Sequence, residues 1–153
     1  MEASTETALR REIAIAARPE TVWEFLVDPE KATRWMGQSA SLDPRPGGEY
    51  RVQVISGNLA LGEFVEVDPP RRLVWTWGWD NESASSVAPG ASTIEIELEP
   101  TDDGTLLHFT HSGFADVDET QKHAHGWDHY LPRLEIAASG GDPGRDTWLD
   151  GMT

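Results

Sequence analysis

The chain contains no cysteine, which excludes disulfides, thiolate catalysis and cysteine-ligated zinc outright. No apolar run approaches the roughly 18 residues that a membrane-spanning helix needs. The first residues, MEASTETALRREI, lack the basic start and apolar stretch of a signal peptide, so a cytoplasmic location is the expectation. Basic residues are scarce, 12 against 27 acidic ones, for a formal net charge of −15. So acidic a surface repels phosphate backbones and anionic lipid, which argues against nucleic-acid and membrane partners. Internal repeats and domain-dividing linkers are missing too. A chain of 153 residues is then expected to build one core, in a single domain over residues 9–139 with flexible or loosely docked tails at 1–8 and 140–153.

What is present alternates for most of its length. REIAIAA places Ile13 and Ile15 on one side of a strand. Pro19 suits a first helical position, and Val22, Trp23 and Leu26 recur at helical spacing. Asp28 can cap a second short helix that starts at Pro29 and runs towards Trp35 and Met36. Strand signals then follow: Tyr50, Val52 and Val54 on one face, LALGEFVEVDPP returning after an SGN turn, and RRLVWTWGWD. Beyond the polar loop NESASSVAPG, STIEIELEP alternates, TDDG turns, and TLLHFTHSGF closes the series. Such a meander must cover its apolar face, and only the C-terminal helix is long enough.

That helix carries HAHGWDHYLPRLEIAA. Asp116 and Glu119 have capping-box spacing, so it should begin near Val117 and end at Ser139-Gly140-Gly141. At about 100° per residue, Trp127, Tyr130, Leu131, Leu134 and Ala138 form one stripe. His123 falls inside it. His125 and His129 fall opposite, and two histidines on a solvated face, with no third ligand nearby in sequence, predict a surface pair rather than a metal site. Pro132 also faces outward and is expected to bend the helix.

LVWTWGW raises a different question. Leu73, Trp75, Trp77 and Trp79 should share one strand face, and three indoles in water would be an aggregation hazard, so they should face the helix. Each carries an N–H that costs about 1–3 kcal/mol if stranded. A cavity holding water or a partly polar ligand suits them better than a dry core. His111 lies on the same face as Leu107 and Phe109 and should enter this interior, while His108 alternates outward. A neutral, hydrogen-bonded imidazole is the expectation for His111; no Ser or Asp is placed by sequence to orient it as a base.

With these segments in order, the chain resembles the helix-grip proteins of the START-like (SRPBCC) superfamily, and within it the family named for the C-terminal domain of the activator of heat-shock-protein ATPase. The matching stretches are IAARPETVWEFLVDPEKATRWM, DPRPGGEYRV, GEFVEVDPPRRLVWTW, LHFTHSGF and HGWDHYLPRL. The resemblance implies an α+β fold: a curved antiparallel sheet of about six to seven strands around a long C-terminal helix, with two short helices after the first strand and a cavity between sheet and helix. It also implies a single-domain member of a group widespread in bacteria, some of whose wider relatives bind lipids or sterols and others cyclise polyketides.

The leading expectation is therefore binding of a small apolar or aromatic molecule inside the cavity, without cofactor or metal. The residues expected to line it are Trp35, Tyr50, Val52, Trp75, Trp77, Trp79, Phe109, His111, His123, Trp127 and Leu131. A cyclase- or aromatase-like enzyme is the alternative, with His111 and His123 as acid–base candidates. A co-chaperone-like interaction module is a third reading, and a homodimer stays open.

Overall fold

The computed structural model describes residues 7–55, 57–80 and 87–150. Residues 1–6 and 151–153 of the tails expected at 1–8 and 140–153, Ser56 of the SGN turn and the NESASS part of the polar loop lie outside the described residues. The alternating segments form one seven-stranded antiparallel sheet: β1 (Ala8–Ile15), β2 (Ser39–Leu42), β3 (Glu49–Ile55), β4 (Asn58–Asp68), β5 (Arg72–Trp77), β6 (Ser92–Thr101) and β7 (Gly104–Ser112), in the spatial order β1-β7-β6-β5-β4-β3-β2. Helices α1 (Pro19–Val27) and α2 (Pro29–Ala32) follow β1, and α3 (Val117–Ala138) follows β7. The fold is thus α+β, a curved sheet with a long C-terminal helix. Among the described residues, no helix is long and apolar enough to cross a membrane.

Local chemistry sets the helix boundaries where the sequence places them. Pro19 and Pro29 occupy first-turn positions, where a missing N–H costs nothing. The Asp28 carboxylate accepts from the Glu30 amide, and Asp116 accepts from the Glu119 amide at 2.9 Å. α2 stops at Ala32, short of Trp35, and the strand at Ser39–Leu42 is one that polar SASL does not announce. α3 runs uninterrupted through Pro132, whose ring lies on the exposed side, and Gly140 leaves it with a φ of +96°.

Register then brings the inward residues together. Phe64 pairs with Trp75, Trp75 with Ile94 and Ile94 with His111; Trp77 pairs with Ser92, and Ile96 with Phe109. Trp127, Tyr130, Leu131 and Leu134 of α3 are all at most 4% exposed. The helix is also held to the sheet's edge, where the Arg11 guanidinium donates to both carboxylate oxygens of Asp128 at 2.7 and 3.1 Å. Outward residues are polar: Arg72 bridges Glu66, Glu95 and Glu97, and His108 lies between Glu12 and Glu99.

Candidate functional site

The tryptophan row divides at the end of β5. Trp75 stays in the sheet and packs against Tyr50, its ring 5.1 Å away at 22°, with Phe64 nearby. Trp79 lies beyond the strand, which ends at Trp77, and holds the sheet through a single bridge to Ala60. Gly78 between them makes this possible. Its backbone is pressed so tightly against the next segment that a Cβ would lie 1.7 Å from the Ala88 carbonyl. Hydrogen bonds from the Leu61 amide to the Gly78 carbonyl and from the Trp79 amide to the Val87 carbonyl, both 2.8 Å, fix the chain there.

At this end of the sheet a cleft of about 90 Å³ opens against α3, walled by Trp77, Trp79, Trp127 and Tyr130, with His123, Glu119 and Lys122 as its polar groups and Met36, Val54, Ile55, Asn58 and Gly126 completing it. It is smaller than the roughly 300–1,000 Å³ of drug-sized sites, too small to enclose a whole sterol or lipid. Trp79 donates from Nε1 to His123 Nε2 at 3.0 Å, and His123 Nδ1 donates to the Glu119 carbonyl at 2.9 Å. Both nitrogens are engaged, so the tautomer is fixed. Burial, opposed by the Glu119 carbonyl, lowers the pKa of His123, and the ring is neutral at pH 7. Glu119 is 4% exposed, with one carboxylate oxygen 3.8 Å from the Lys122 ammonium and the other 3.8 Å from His123 Nδ1.

Behind the cleft is a sealed relay. Trp127 donates from Nε1 to His111 Nδ1 at 3.0 Å. His111 Nε2 therefore carries the proton and donates to Ser92 Oγ at 2.8 Å, whose hydroxyl donates to the Trp77 carbonyl at 2.8 Å. His111 is 0% exposed, and burial, with a smaller contribution from His123, pushes its pKa down to about 2. It cannot touch a substrate from there; it orients Trp127. Sequence reasoning missed Ser92, although extending the alternation of Ile94, Ile96 and Leu98 by one step would have placed it inward beside Trp77.

Of the residues expected to line a cavity, Trp77, Trp79, His123 and Trp127 meet at the cleft. Tyr50, Val52, Trp75, Phe109, His111 and Leu131 pack the interior behind it. Trp35 is buried against α1, its indole N–H bonded to the Phe25 carbonyl at 2.8 Å. Glu119, Lys122 and Tyr130 are among the lining residues that were not expected. Two indole donors, Nε1 of Trp75 and of Trp77, are buried with no hydrogen-bond partner among the described residues.

His125 is exposed as expected, but His129 corrects the reading of a solvated pair. Its ring stacks on Trp148 at 3.8 Å and 3°, and its Nε2 lies 2.8 Å from Asp146 Oδ1. Tyr130 donates its hydroxyl to Asp146 Oδ2 at 2.7 Å, and the Trp148 amide donates to Oδ1 at 3.0 Å. Burial alone would raise the Asp146 pKa; the hydrogen bonds from Tyr130, His129 and the Trp148 amide outweigh it and hold the carboxyl below its ordinary value. Asp146 and Trp148 are 5% and 7% exposed, so this part of the expected tail is packed on α3. The sequence gives no signal for it, because the anchoring carboxylate sits in a polar stretch without periodicity. Among the described residues no group of three His, Asp or Glu side chains converges to hold a metal.

Fold and cleft together define a helix-grip protein with a small aromatic-walled recess. The family described as activator of Hsp90 ATPase homolog 1-like protein matches residues 16–139, and the chain belongs to it. No curated protein matches the sequence. Among solved structures it is similar to the AHSA1-like protein of Rhizobium etli, at 45% identity over 92% of this chain and 87% of that one, with a TM-score of 0.74. It is also similar to CalU16 from Micromonospora echinospora, at 26% identity over 89% and 83% of the two chains and a TM-score of 0.65. The Aha1 dimer from Colwellia psychrerythraea shares the fold, at 19% identity over 89% and 98% of the chains and a TM-score of 0.75.

Proposed function

We propose that the protein binds a small molecule through an apolar or aromatic head that enters the cleft between the end of β5 and α3. The observation that carries this reading is the convergence of Trp77, Trp79 and Trp127 on open space flanked by polar groups. Concave, mainly aromatic walls with a few polar atoms are the usual character of a ligand site. The unpartnered Trp77 N–H adds to it, since an acceptor brought by the ligand would recover about 1–3 kcal/mol. The remainder of the ligand lies at the rim, where the Lys122 side chain is 65% exposed.

The arrangement supports binding better than acid–base catalysis. His111 is sealed, and both nitrogens of His123 already have partners. The acidic, ion-paired outer face of the sheet likewise gives little support to an apolar docking surface for a protein partner.

The test is tryptophan fluorescence and thermal unfolding against a panel of indole, 2-naphthol and short aliphatic alcohols. Saturable quenching should weaken about tenfold or more in Trp79→Ala, the loss of an aromatic wall being worth upwards of 1.4 kcal/mol. Trp79 is only half-buried, so the variant keeps its fold. Binding unchanged in Trp79→Ala, or no saturable response across the panel, would overturn the reading.

A further inference from the structure

Of the two indole N–H groups buried without a partner among the described residues, that of Trp77 belongs to a wall of the cleft and that of Trp75 does not. The other two indoles of the wall are committed: Trp79 donates to His123, and Trp127 donates to His111. His123 has both nitrogens engaged, and the Tyr130 hydroxyl already donates to Asp146. A head that fills the cleft without offering an acceptor leaves the Trp77 N–H stranded, and folded proteins avoid that cost.

The surroundings also set the charge and electronic character of the acceptor. The faces of the three indoles are negative. His123 is neutral, and Lys122, the cation of the lining, stands 3.8 Å from Glu119, so the two together bring no net charge. The chain's net charge of −15 adds to the field against an anion. A hydroxyl head would bring a hydrogen that needs an acceptor in its turn, and His123 has none to spare. A carbonyl oxygen accepts without bringing a hydrogen. Conjugated to a ring, it also draws electrons out of that ring, which suits a face laid against indoles.

Resting on the reading of the cleft as a ligand site, we infer that the ligand's head is a neutral aryl or conjugated carbonyl, its ring among Trp77, Trp79 and Trp127 and its oxygen accepting from Trp77 Nε1. Trp77 is 2% exposed, and Trp79 meets it edge-on at 86° with centroids 5.3 Å apart. Trp79 stands beyond the end of β5 and is half-buried, so it is the wall that gives way as the head enters.

The experiment compares acetophenone with α-methylstyrene, which has the same shape with a methylene in place of the oxygen, by isothermal titration calorimetry. Free acetophenone is the better hydrated, so the quantity read is the ratio of the two affinities in wild type and in Trp77→Phe, between which the hydration of the free probes cancels. The ratio should fall about tenfold in Trp77→Phe, equivalent to about 1.4 kcal/mol, whereas lost wall area weakens both probes alike. Trp75→Phe, the same change at the donor behind the cleft, should leave the ratio within about twofold of wild type. If circular dichroism shows Trp77→Phe unfolded, β-(3-benzothienyl)alanine at position 77 keeps the ring's shape with sulfur in place of N–H and should give the same fall. Benzoate should bind wild type at least about tenfold more weakly than acetophenone. A ratio that is unchanged at position 77, or that falls as far in Trp75→Phe, overturns the assignment to Trp77; benzoate binding as tightly as acetophenone overturns the neutral head. Either result leaves the aromatic-head reading standing. If neither acetophenone nor α-methylstyrene saturates the protein, the carbonyl assignment falls, and the aromatic panel decides the broader reading.

Discussion

His111 and His123 differ in one respect that sets their roles. Their rings are 5.2 Å apart, each has both nitrogens hydrogen-bonded, and each accepts from a tryptophan. His111 accepts a hydrogen bond from the Trp127 N–H and donates its own Nε2–H inward to Ser92, with no exposed surface; His123 accepts from the Trp79 N–H and lines the cleft. The same chemistry is scaffolding on one side of the helix stripe and part of the cleft wall on the other. What separates them is water: one residue's partners are all enclosed, and the other's partner, Trp79, is half-buried.

His111→Leu should have the largest effect. It strands the Trp127 N–H in a closed interior, at a cost of about 1–3 kcal/mol, and should lower the melting temperature by roughly 2–4 °C for each kcal/mol. The pH dependence should be more telling. The folded histidine refuses a proton until about pH 2, while the unfolded one takes it near 6.5. The residue's contribution to stability is therefore complete above about pH 6.5 and declines as pH falls, by about 1.4 kcal/mol per unit. Urea unfolding from pH 8 to pH 5 should show the gap between wild type and variant narrowing with acidification. A gap that stays constant would mean that His111 is not held neutral by burial.

Asp146→Ala should come next. It removes hydrogen bonds from Tyr130, His129 and the Trp148 amide, for an expected loss of about 2 kcal/mol. Because the folded carboxyl sits below its ordinary value, its stabilisation is present above about pH 4 and lost as pH falls through the folded value. The difference between wild type and variant should vanish in acid. Tyr130 lines the cleft as well, so fluorescence titration of this variant shows how far the packed tail shapes ligand affinity.

His123→Ala should have the smallest effect on stability, below about 1 kcal/mol, because water can reach the freed Trp79 N–H. Its effect on ligand binding should exceed that of His111→Leu measured on folded protein. The reverse order in a titration of the two variants would place the site on the sealed side.

Much of the fold could be read from periodicity. The helix caps at Asp28 and Asp116, the prolines at 19 and 29, and the inward row of Ile94, Ile96 and Leu98 each follow from local rules that tertiary packing leaves intact. The short strand at Ser39–Leu42 does not, because its four residues pair with β3 without an apolar alternation of their own. The site was legible only in part. Alternation puts Trp75, Trp77 and Trp79 on one face, but it cannot say that β5 ends at Trp77 or that the interior is filled around Trp75 and open beside Trp79. Nor does a helical wheel identify Glu119 as a buried acid, since its place at a helix start already has a sufficient explanation in capping. That distinction needs the sheet's curvature, which lies in no single segment.

The packing of Asp146 and Trp148 on α3 bears on where this family is cut. The family match ends at residue 139, yet the side chains that cover His129 and hold the Tyr130 hydroxyl come from beyond it. A recombinant product trimmed to the conserved borders would bare an aromatic surface and lose one wall's anchor. Its poor solubility or weak ligand affinity would then reflect the scissors rather than the protein.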